Sequence, residues 1–418
     1  MTTDSDRATV EFDAHAPDYV ARRHDIWATA RQTPVAHSDS HGGFWVVSGH
    51  AEVSEVAKNA TTYSCYYGDQ PESDGMAWAG ILGVPRAPGV PRLGLGEREG
   101  PDFVAIRRAL NPYFLPAAVT EYAPVIQQAA TYFLDQRIAD GRIDIVNDYA
   151  GPVAALITMV SVGLPFEEWT GFHEIFHNTM AYPATHPKFQ AAQARLPELR
   201  ETLGAVIDQR RATPGSDLIS TLIAVDLEGH ALTNDEILDI LWNVIGGGLD
   251  TTSSLVSLVL MYLYEHPDQR DRLINEPELM ESAREEFVRY YAVSEFLGRT
   301  VTTDVELGGQ RLHRGDPLLV GWRSANHDER VFECPDEIRL DRTPNPHVGF
   351  GVGPHRCIGM HLARVEFDIV LREFLTRVPD YVVDIDGTKL YERELLAGAT
   401  TMPATFAPGV PVGVERPF

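Results

Sequence analysis

The spacing of hydrophobic and polar positions divides the chain into a mainly helical body and a few short strands. Helical patterns dominate residues 103–265, and a further amphipathic helix is expected from Ile358 to about Phe374. Residues 44–47 form a short apolar run. Residues 299–322 alternate in polarity and carry glycine turns, which is typical of strands. The pattern predicts a mainly α fold with small β-sheets, of the α+β class.

The strongest helical pattern lies in the middle of the chain. Residues 233–236 read Thr-Asn-Asp-Glu, a capping-box signature, and the pattern then continues to about Glu265, with Pro267 ending it. Roughly thirty residues at 1.5 Å each give a helix of about 45–50 Å, long enough to cross the domain. Its centre, residues 246–252, reads Gly-Gly-Gly-Leu-Asp-Thr-Thr. Each central glycine costs about 1 kcal/mol relative to alanine, so we expect these glycines to create space.

One cysteine stands in a glycine-rich turn just before a predicted helix. The run from Phe350 to Gly359 reads Phe-Gly-Val-Gly-Pro-His-Arg-Cys-Ile-Gly, and the helix is expected to begin at Cys357. Thiolate is the form of cysteine that binds metals, and the N-terminus of a helix stabilises it. Glycines let the backbone approach a flat cofactor closely. These properties suit an axial ligand of haem iron, although a buried cysteine after an ordinary glycine turn is the alternative.

The cysteine run resembles the haem-binding loop of the cytochromes P-450, Phe-Gly-x-Gly-x-His/Arg-x-Cys-x-Gly, and fills each of its fixed positions. Residues 247–252 resemble the oxygen-activation motif of that family, Ala/Gly-Gly-x-Asp/Glu-Thr-Thr. Alone, the second stretch would rather indicate a close helix crossing built from small residues. The resemblance extends from about residue 15 to the C-terminus and is strongest to soluble bacterial members. It implies the cytochrome P-450 fold, with a long central helix crossing the haem and a cysteine ligand loop.

The resemblance also implies which residues hold the cofactor, haem b. Cys357 would be the axial ligand of the iron. The sequence departs from the family at Phe103, where the family has a propionate-binding histidine, so one propionate contact is expected to be lost or replaced. The other cofactor-binding residues implied by the resemblance are Arg107, Arg299, His355, Gly248, Phe350 and Gly359.

Further roles follow from the same resemblance. Thr251 would hydrogen-bond dioxygen and Asp250 would relay protons from solvent, as a positioned acid. A buried charged trio would fix the segment that positions the cysteine loop. We expect that trio to be Glu286, Arg289 and Arg342, and we expect the substrate pocket to include Ile245, Leu249, Val293 and Phe296.

The implied reaction inserts one oxygen atom from O2 into a lipophilic small molecule, hydroxylating a terpenoid, steroid or fatty-acid-like substrate. The sequence shows no nicotinamide- or flavin-binding motif. Electrons are therefore expected ultimately from NAD(P)H, through a separate ferredoxin and ferredoxin reductase. Two alternatives remain. A peroxide-driven or isomerising haem-thiolate enzyme would not need the acid–threonine pair, and a non-catalytic haem carrier or gas sensor would need no apolar pocket.

Composition and charge narrow the partners and the compartment. The net charge is −25, which argues against binding to nucleic acid or anionic membranes. A ferredoxin would therefore need a local basic patch, expected at Arg108, Arg356 and Arg364. Three cysteines fit a reducing cytoplasm, and no membrane anchor is expected. We expect a cytoplasmic monomer with a frayed, polar segment at residues 1–15 and a single haem-thiolate monooxygenase domain at residues 16–418.

Overall fold

The computed structural model describes residues 7–67, 79–82, 84, 86, 92–164 and 169–417. Helices dominate these residues and the strands form small sheets, which confirms the predicted fold class. In chain order the α-helices are α1 Tyr19–Arg31, α2 His50–Lys58, α3 Gly100–Phe114, α4 Pro116–Thr120, α5 Ala123–Ile138, α6 Gly151–Val162, α7 Trp169–Ala181, α8 Pro187–Ala194, α9 Leu196–Ala212, α10 Leu218–Ile223, α11 Asn234–Leu249, α12 Thr251–Glu265, α13 Pro267–Asn275, α14 Met280–Tyr291, α15 Trp322–Asn326 and α16 Met360–Arg377.

The strands of the described residues are short. They are β1 Val35–Ser38, β2 Phe44–Val47, β3 Tyr63–Ser64, β4 Arg142–Asp144, β5 Phe296–Val301, β6 Val305–Leu307, β7 Gln310–Leu312, β8 Pro317–Gly321, β9 Val382–Val383, β10 Lys389–Leu390, β11 Ala399–Thr401 and β12 Pro403–Thr405.

A five-stranded sheet carries one wall of the site described below. Its order is β1-β2-β8-β5-β3, with β2 and β8 parallel and the other pairs antiparallel. All four residues of β2 are buried, as expected for a strand with neighbours on both sides. Arg299 of β5 pairs with Leu318 of β8, so the sheet fixes the position of this arginine.

The predicted long central helix runs from Asn234 to Glu265 as two consecutive helices, α11 and α12. The capping box at Thr233 is present, with Glu236 bonding back to the cap residue. The two helices meet at Asp250, where φ and ψ are −102° and −26°. Next to it, the Thr251 hydroxyl donates to the carbonyl oxygen of Gly247 at 2.7 Å. A side-chain bond to that carbonyl competes with the backbone ladder, which explains the local opening.

The N-terminal segment differs from the expectation. Phe12 is 1% exposed, and its ring lies 4.6 Å from that of Trp27 and 6.4 Å from that of Phe44. The backbone N–H of Val10 donates to the carbonyl of His37 at 2.9 Å. Residues 7–15 are therefore packed rather than frayed, because one aromatic anchor outweighs the polar composition around it. Residues 1–6 lie outside the described residues.

Among the described residues, two helical stretches are long and apolar enough to cross a membrane by length and composition. They are Ile145–Val162 and Asn234–Glu265, and the fold buries 83% and 67% of their most apolar windows. The first begins with the π-helical turn Ile145–Ala150 and continues as α6. Both stretches contribute many residues to the main hydrophobic core. The protein interior therefore accounts for their apolar composition.

Candidate active site

A cavity of about 340 Å³ lies between the central helix and the cysteine loop. Along the helix it is lined by Asn243, Gly247 and Thr251, which are four residues apart and so share one face. Cys357 lies on the loop side of the cavity. The expected iron ligand and the expected oxygen-side threonine thus line the same space.

The cysteine loop owes its shape to two glycines with positive φ. Gly351 and Gly353 have φ of 68° and 77°, and a Cβ on Gly353 would collide with the carbonyl of Ala57 in α2. The N–H of Cys357 donates to the carbonyl of Phe350 at 2.8 Å, which closes the turn. Helix α16 begins at Met360, so the expectation that it begins at the cysteine is wrong by three residues. The intervening residues 358–359 form a turn that presents the sulfur to the cavity.

Opposing influences act on the Cys357 thiol. Burial raises its pKa, while the backbone N–H of Gly359 and the guanidinium of Arg107 act to lower it. The side chain lines the cavity, where a Lewis acid would meet it. A bound metal cation would displace the thiol proton and supply a positive charge that stabilises the thiolate.

Three groups expected to bind the cofactor propionates meet at one edge of the cavity. Arg107, Arg299 and His355 all line it. Arg107 donates to the carbonyl of Arg356, and Arg299 donates to the carbonyl of Gly298 at 2.6 Å. Burial, together with the two neighbouring arginines, lowers the pKa of His355 to about 3. His355 is therefore a neutral hydrogen-bonding group at neutral pH, and the two arginines carry the positive charge.

Phe103 occupies the position where the family has a histidine, and it has a packing role. Its ring stacks on His355, with centroids 4.3 Å apart and planes inclined by 24°. Phe103 is buried on α3, one turn before Arg107. It therefore orients the imidazole of His355 and helps to keep it out of water, instead of supplying a further hydrogen bond.

The central glycines serve two different needs. A Cβ on Gly247 would meet nothing within 4 Å, so this glycine leaves open space in the cavity. A Cβ on Gly248 would collide with the hydroxyl of Thr158, so this glycine allows α11 and α6 to pack closely. Both glycines line the cavity.

Asp250 is buried beside the cavity and does not line it. Its Oδ1 accepts a hydrogen bond from Nδ1 of His177 in α7 at 3.0 Å, and the Tyr391 hydroxyl lies 3.4 Å from the same nitrogen. Burial acts to raise the pKa of Asp250, but the charge and hydrogen bond of His177 outweigh it and lower the pKa. The sequence reasoning missed His177; its spacing from His173, four residues along one helix, was the available signal.

Of the four residues expected in the substrate pocket, the structure places Val293 at the cavity and the other three away from it. Val293 lines the cavity, as does Leu297. Phe296, the neighbour of Leu297 on β5, points to the other face of the strand and packs against Tyr19 and Trp27. Ile245 and Leu249 are fully buried in the main core, on a different face of α11 from Gly247. Helix and strand periodicity thus directs these three side chains away from the cavity.

The structure brings the expected charged trio together. Arg289 donates to both carboxylate oxygens of Glu286, at 2.7 and 2.8 Å, and Arg342 donates to the same oxygens at 2.9 and 3.0 Å. Arg289 also donates to the carbonyls of Asn326 and Pro335. These contacts tie α14 to the irregular segment that leads into the cysteine loop.

Arg364 does not belong to a free basic patch. Its guanidinium donates to both carboxylate oxygens of Glu285, at 2.6 and 2.8 Å, and lies 4.6 Å from the ring centroid of Phe350. The expectation that it docks a partner is therefore wrong, because both its charge and its face are used inside the site. Arg108 and Arg356 are exposed.

Comparison with known proteins identifies the family and the fold. The family model described as Cytochrome P450 matches residues 94–378. The chain belongs to the cytochrome P450 family. A steroid C26-monooxygenase of Mycolicibacterium smegmatis is 30% identical over 336 residues, covering 78% of this chain and 82% of that protein. Linalool 8-monooxygenase of Pseudomonas putida is 29% identical, covering 88% of this chain and 92% of that protein.

Solved cytochrome P450 structures superpose along almost the whole chain. Cytochrome P450 CYP268A2 of Mycobacterium marinum, in complex with pseudoionone, has a TM-score of 0.86 at 24% identity and covers 96% of this chain and 99% of its own. CYP109E1 of Bacillus megaterium, in complex with testosterone, has a TM-score of 0.81 at 26% identity and covers 94% of this chain and 99% of its own. The protein is a bacterial-type cytochrome P450 monooxygenase, an oxidoreductase that uses haem and O2.

The residues of the cavity fit a haem. The Cys357 sulfur is available as a ligand, two arginines and a neutral histidine lie at one edge, and Gly247 leaves open space on the helix side. The glycine positions match the requirement of a flat cofactor for close backbone approach. The same lining shows that Phe350, Gly248 and Gly359 also lie at the cavity, where the resemblance implies them.

Replacing Glu286 by Gln should destabilise the protein by about 3–5 kcal/mol, because it leaves buried arginines without their counter-charge. Urea denaturation of the haem-loaded protein measures this loss. Glu281→Gln is the matched control, since Glu281 is exposed on the same helix and should change the free energy of unfolding by less than about 0.5 kcal/mol. Equal effects of the two substitutions would contradict a structural role of the trio.

Glu366 of α16 lines the cavity, and burial raises its pKa to about 8 from 4.5. The folded state therefore holds a proton that the unfolded state releases above pH 4.5. Stability from this proton is fully present below pH 4.5 and is lost as pH rises towards 8, at about 1.4 kcal/mol per unit of pKa difference. Glu366→Gln should match wild type near pH 4.5 and exceed its stability at pH 8.5.

Chemical denaturation of both proteins across this pH range measures the difference. Glu265→Gln, at an exposed carboxyl, is the control and should follow the wild-type profile. Parallel profiles for wild type and Glu366→Gln would show that Glu366 is ionised in the folded state.

Proposed function

We propose that this cytochrome P450 hydroxylates a lipophilic small molecule of the terpenoid, steroid or fatty-acid-like kind. The observation that carries the proposal is the cavity itself, which has the Cys357 sulfur on one side and the Thr251 face of an opened helix on the other. Apolar side chains such as Val293, Leu297 and Leu255 supply other parts of its wall. The names of the relatives, which include a steroid and a linalool monooxygenase, support the same substrate range.

The residues of the chain would bind the haem iron, hold the haem propionates and exclude water from the reaction. Cys357 would ligate the haem iron, and Arg107, Arg299 and His355 would hold the propionates. When bound, the haem supplies the chemistry that activates O2 and inserts one of its oxygen atoms into the substrate. The apolar wall would keep water away from that chemistry.

Thr251 and Asp250 would transfer protons. The Thr251 hydroxyl hydrogen is directed to the Gly247 carbonyl, so its oxygen lone pairs are available to the cavity. Asp250 Oδ1 holds the His177 proton, while Oδ2 is buried without a hydrogen-bond partner among the described residues. We propose that Asp250 takes up a proton at this free oxygen and passes it towards Thr251. This step requires its side chain to rotate, since Asp250 does not line the cavity.

We also propose that electrons come ultimately from NAD(P)H, through a separate ferredoxin reductase and ferredoxin. The net charge of −25 opposes the approach of an acidic ferredoxin. Arg108 and Arg356 are the exposed cations that support docking on the thiolate side, now without Arg364. We further propose a cytoplasmic monomer that forms one domain and binds neither nucleic acid nor membrane, in keeping with its charge and its three unpaired cysteines.

Replacing Cys357 by Ser should abolish the red-shifted, thiolate-type absorption band of the reduced carbon monoxide complex. The reason is that a serine oxygen donates less electron density to iron than a thiolate does. Cys65→Ser is the control and should keep the band, although Cys65 also lies at the cavity. A thiolate-type band in Cys357→Ser would exclude Cys357 as the ligand.

Replacing Thr251 by Ala should keep ligand binding but divert reducing equivalents to hydrogen peroxide, several-fold above wild type. The ratio of peroxide formed to NAD(P)H consumed measures this in a reconstituted system. Ser253→Ala is the control, because its hydroxyl also donates to helix carbonyls but does not line the cavity. An unchanged ratio in Thr251→Ala would favour the alternatives, a peroxide-driven or isomerising enzyme or a non-catalytic haem protein.

A further inference from the structure

We propose that Asn243 recognises a hydrogen-bond acceptor on the substrate, so that the preferred substrates are oxygenated lipophiles rather than plain hydrocarbons. The acceptor would be a carbonyl, ether or hydroxyl oxygen. This inference rests on the proposed function, because it takes the cavity beside Cys357 to be the substrate site. It adds a residue that recognises the substrate and a chemical class for that substrate. Neither follows from the cysteine loop or the oxygen-activation motif.

Asn243 lies on the face of the central helix that lines the cavity. It lies four residues before Gly247 and eight before Thr251, and all three line the cavity. At 1.5 Å per residue, Asn243 and Thr251 are about 12 Å apart along the helix axis. A substrate held by Asn243 and oxidised near Thr251 must therefore span roughly that distance.

The orientation of the Asn243 amide follows from one hydrogen bond. The backbone N–H of Gly96 points to Oδ1 of Asn243, with N and O 2.6 Å apart. A backbone N–H can only donate, so the oxygen of the amide must occupy that position. The amide nitrogen, with two N–H donors, is left on the other side. No partner for that nitrogen occurs in the part of the chain that the structure describes.

The surroundings make these free donors selective. The neighbouring cavity wall includes the apolar side chains of Ile81, Leu95 and Val244. A hydrocarbon seated there would strip water from the Asn243 donors without replacing its hydrogen bonds, which carries a free-energy cost. A ligand with an oxygen in reach would satisfy them. Sites of this kind reject the analogue that lacks the polar group much more strongly than they discriminate between apolar shapes.

Two hydroxyl groups of the wall, those of Ser161 and Thr251, already donate to backbone carbonyls. The Ser161 hydroxyl donates to the Thr158 carbonyl at 2.8 Å, and the Thr251 hydroxyl donates to the Gly247 carbonyl. Their hydrogens are therefore not available to a ligand without breaking an existing bond. Asn243 differs from Ser161 and Thr251 because its amide donors have no partner among the described residues.

The test uses the haem-loaded protein and two matched ligand sets, dodecane with dodecan-2-one and 5α-androstane with 5α-androstan-3-one. Dissociation constants are read from the shift of the haem absorption band on titration. Wild type should bind the ketone of at least one set about five- to tenfold tighter than its hydrocarbon. In Asn243→Leu this preference should fall to about twofold or less, because the donors are gone.

Two variants separate recognition from structure. Asn243→Asp keeps an oxygen for the Gly96 N–H but removes the donors, so it should also lose the ketone preference while the loop stays in place. Asn234→Leu makes the same substitution nine residues earlier, where the amide bonds Asp208 at 2.8 Å, and should leave the preference unchanged.

The outcomes distinguish this inference from the proposed function. Wild type that prefers neither ketone, or binds none of the four ligands, overturns the inference, as does an undiminished preference in Asn243→Leu. The thiolate-type carbon monoxide band of the same preparations tests the haem site independently. If the band is present and the ketone preference absent, only the role of Asn243 is excluded. If the band itself is absent, the proposed function fails.

Discussion

The buried carboxylate of Glu286 is the contact on which the architecture of the site depends. It is 0% exposed, and two guanidinium groups, a backbone N–H and an amide all donate to it. An isolated charge in this position would be prohibitively expensive, so the segments that carry its partners have little freedom to move. Those segments lead directly into the cysteine loop. The position of the loop is thus set by the need to neutralise one charge, since regular secondary structure is sparse there.

A second constraint acts from the opposite side of the cavity. The central helix gives up stability at its middle, where three glycines precede a point at which the ladder opens. That cost yields two separate benefits, since Gly247 leaves space in the cavity and Gly248 permits close packing against Thr158. The same opening directs Asp250 away from the cavity and into contact with His177. Asp250 and Thr251 of the oxygen-activation motif therefore face different environments, although they are adjacent in the chain.

Electrostatics at the cofactor edge combine positive charge with the half-buried ring of His355, whose low pKa favours its neutral form. Arg107 and Arg299 carry positive charge, and their presence is one reason why the pKa of His355 is low. Phe103 stacks on that neutral imidazole, where a histidine would have added another polar group to a crowded site. The departure from the family pattern is thus compatible with the remaining anchors. It replaces a hydrogen bond by a stacking contact that fixes the orientation of the His355 ring.

The sequence by itself determined the fold class and predicted the motifs expected to carry the chemistry, because each of those features is local. The capping box, the glycine–threonine run and the cysteine loop are read from neighbouring positions, and their patterns admit few alternatives. The Glu286 trio could be predicted only through the family resemblance, since its members are distant along the chain.

Only the tertiary structure decided which side chains reach the cavity. Ile245, Leu249 and Phe296 looked suitable because they are apolar and near the motifs, yet a shift of one or two positions on a helix or strand turns a side chain to another face. His177, Asn243 and Gly96 meet their partners across tens or hundreds of residues, and Phe12 anchors a segment whose composition alone indicates disorder. Burial and hydrogen bonding at these positions depend on which distant elements pack together, and this information is absent from any local pattern.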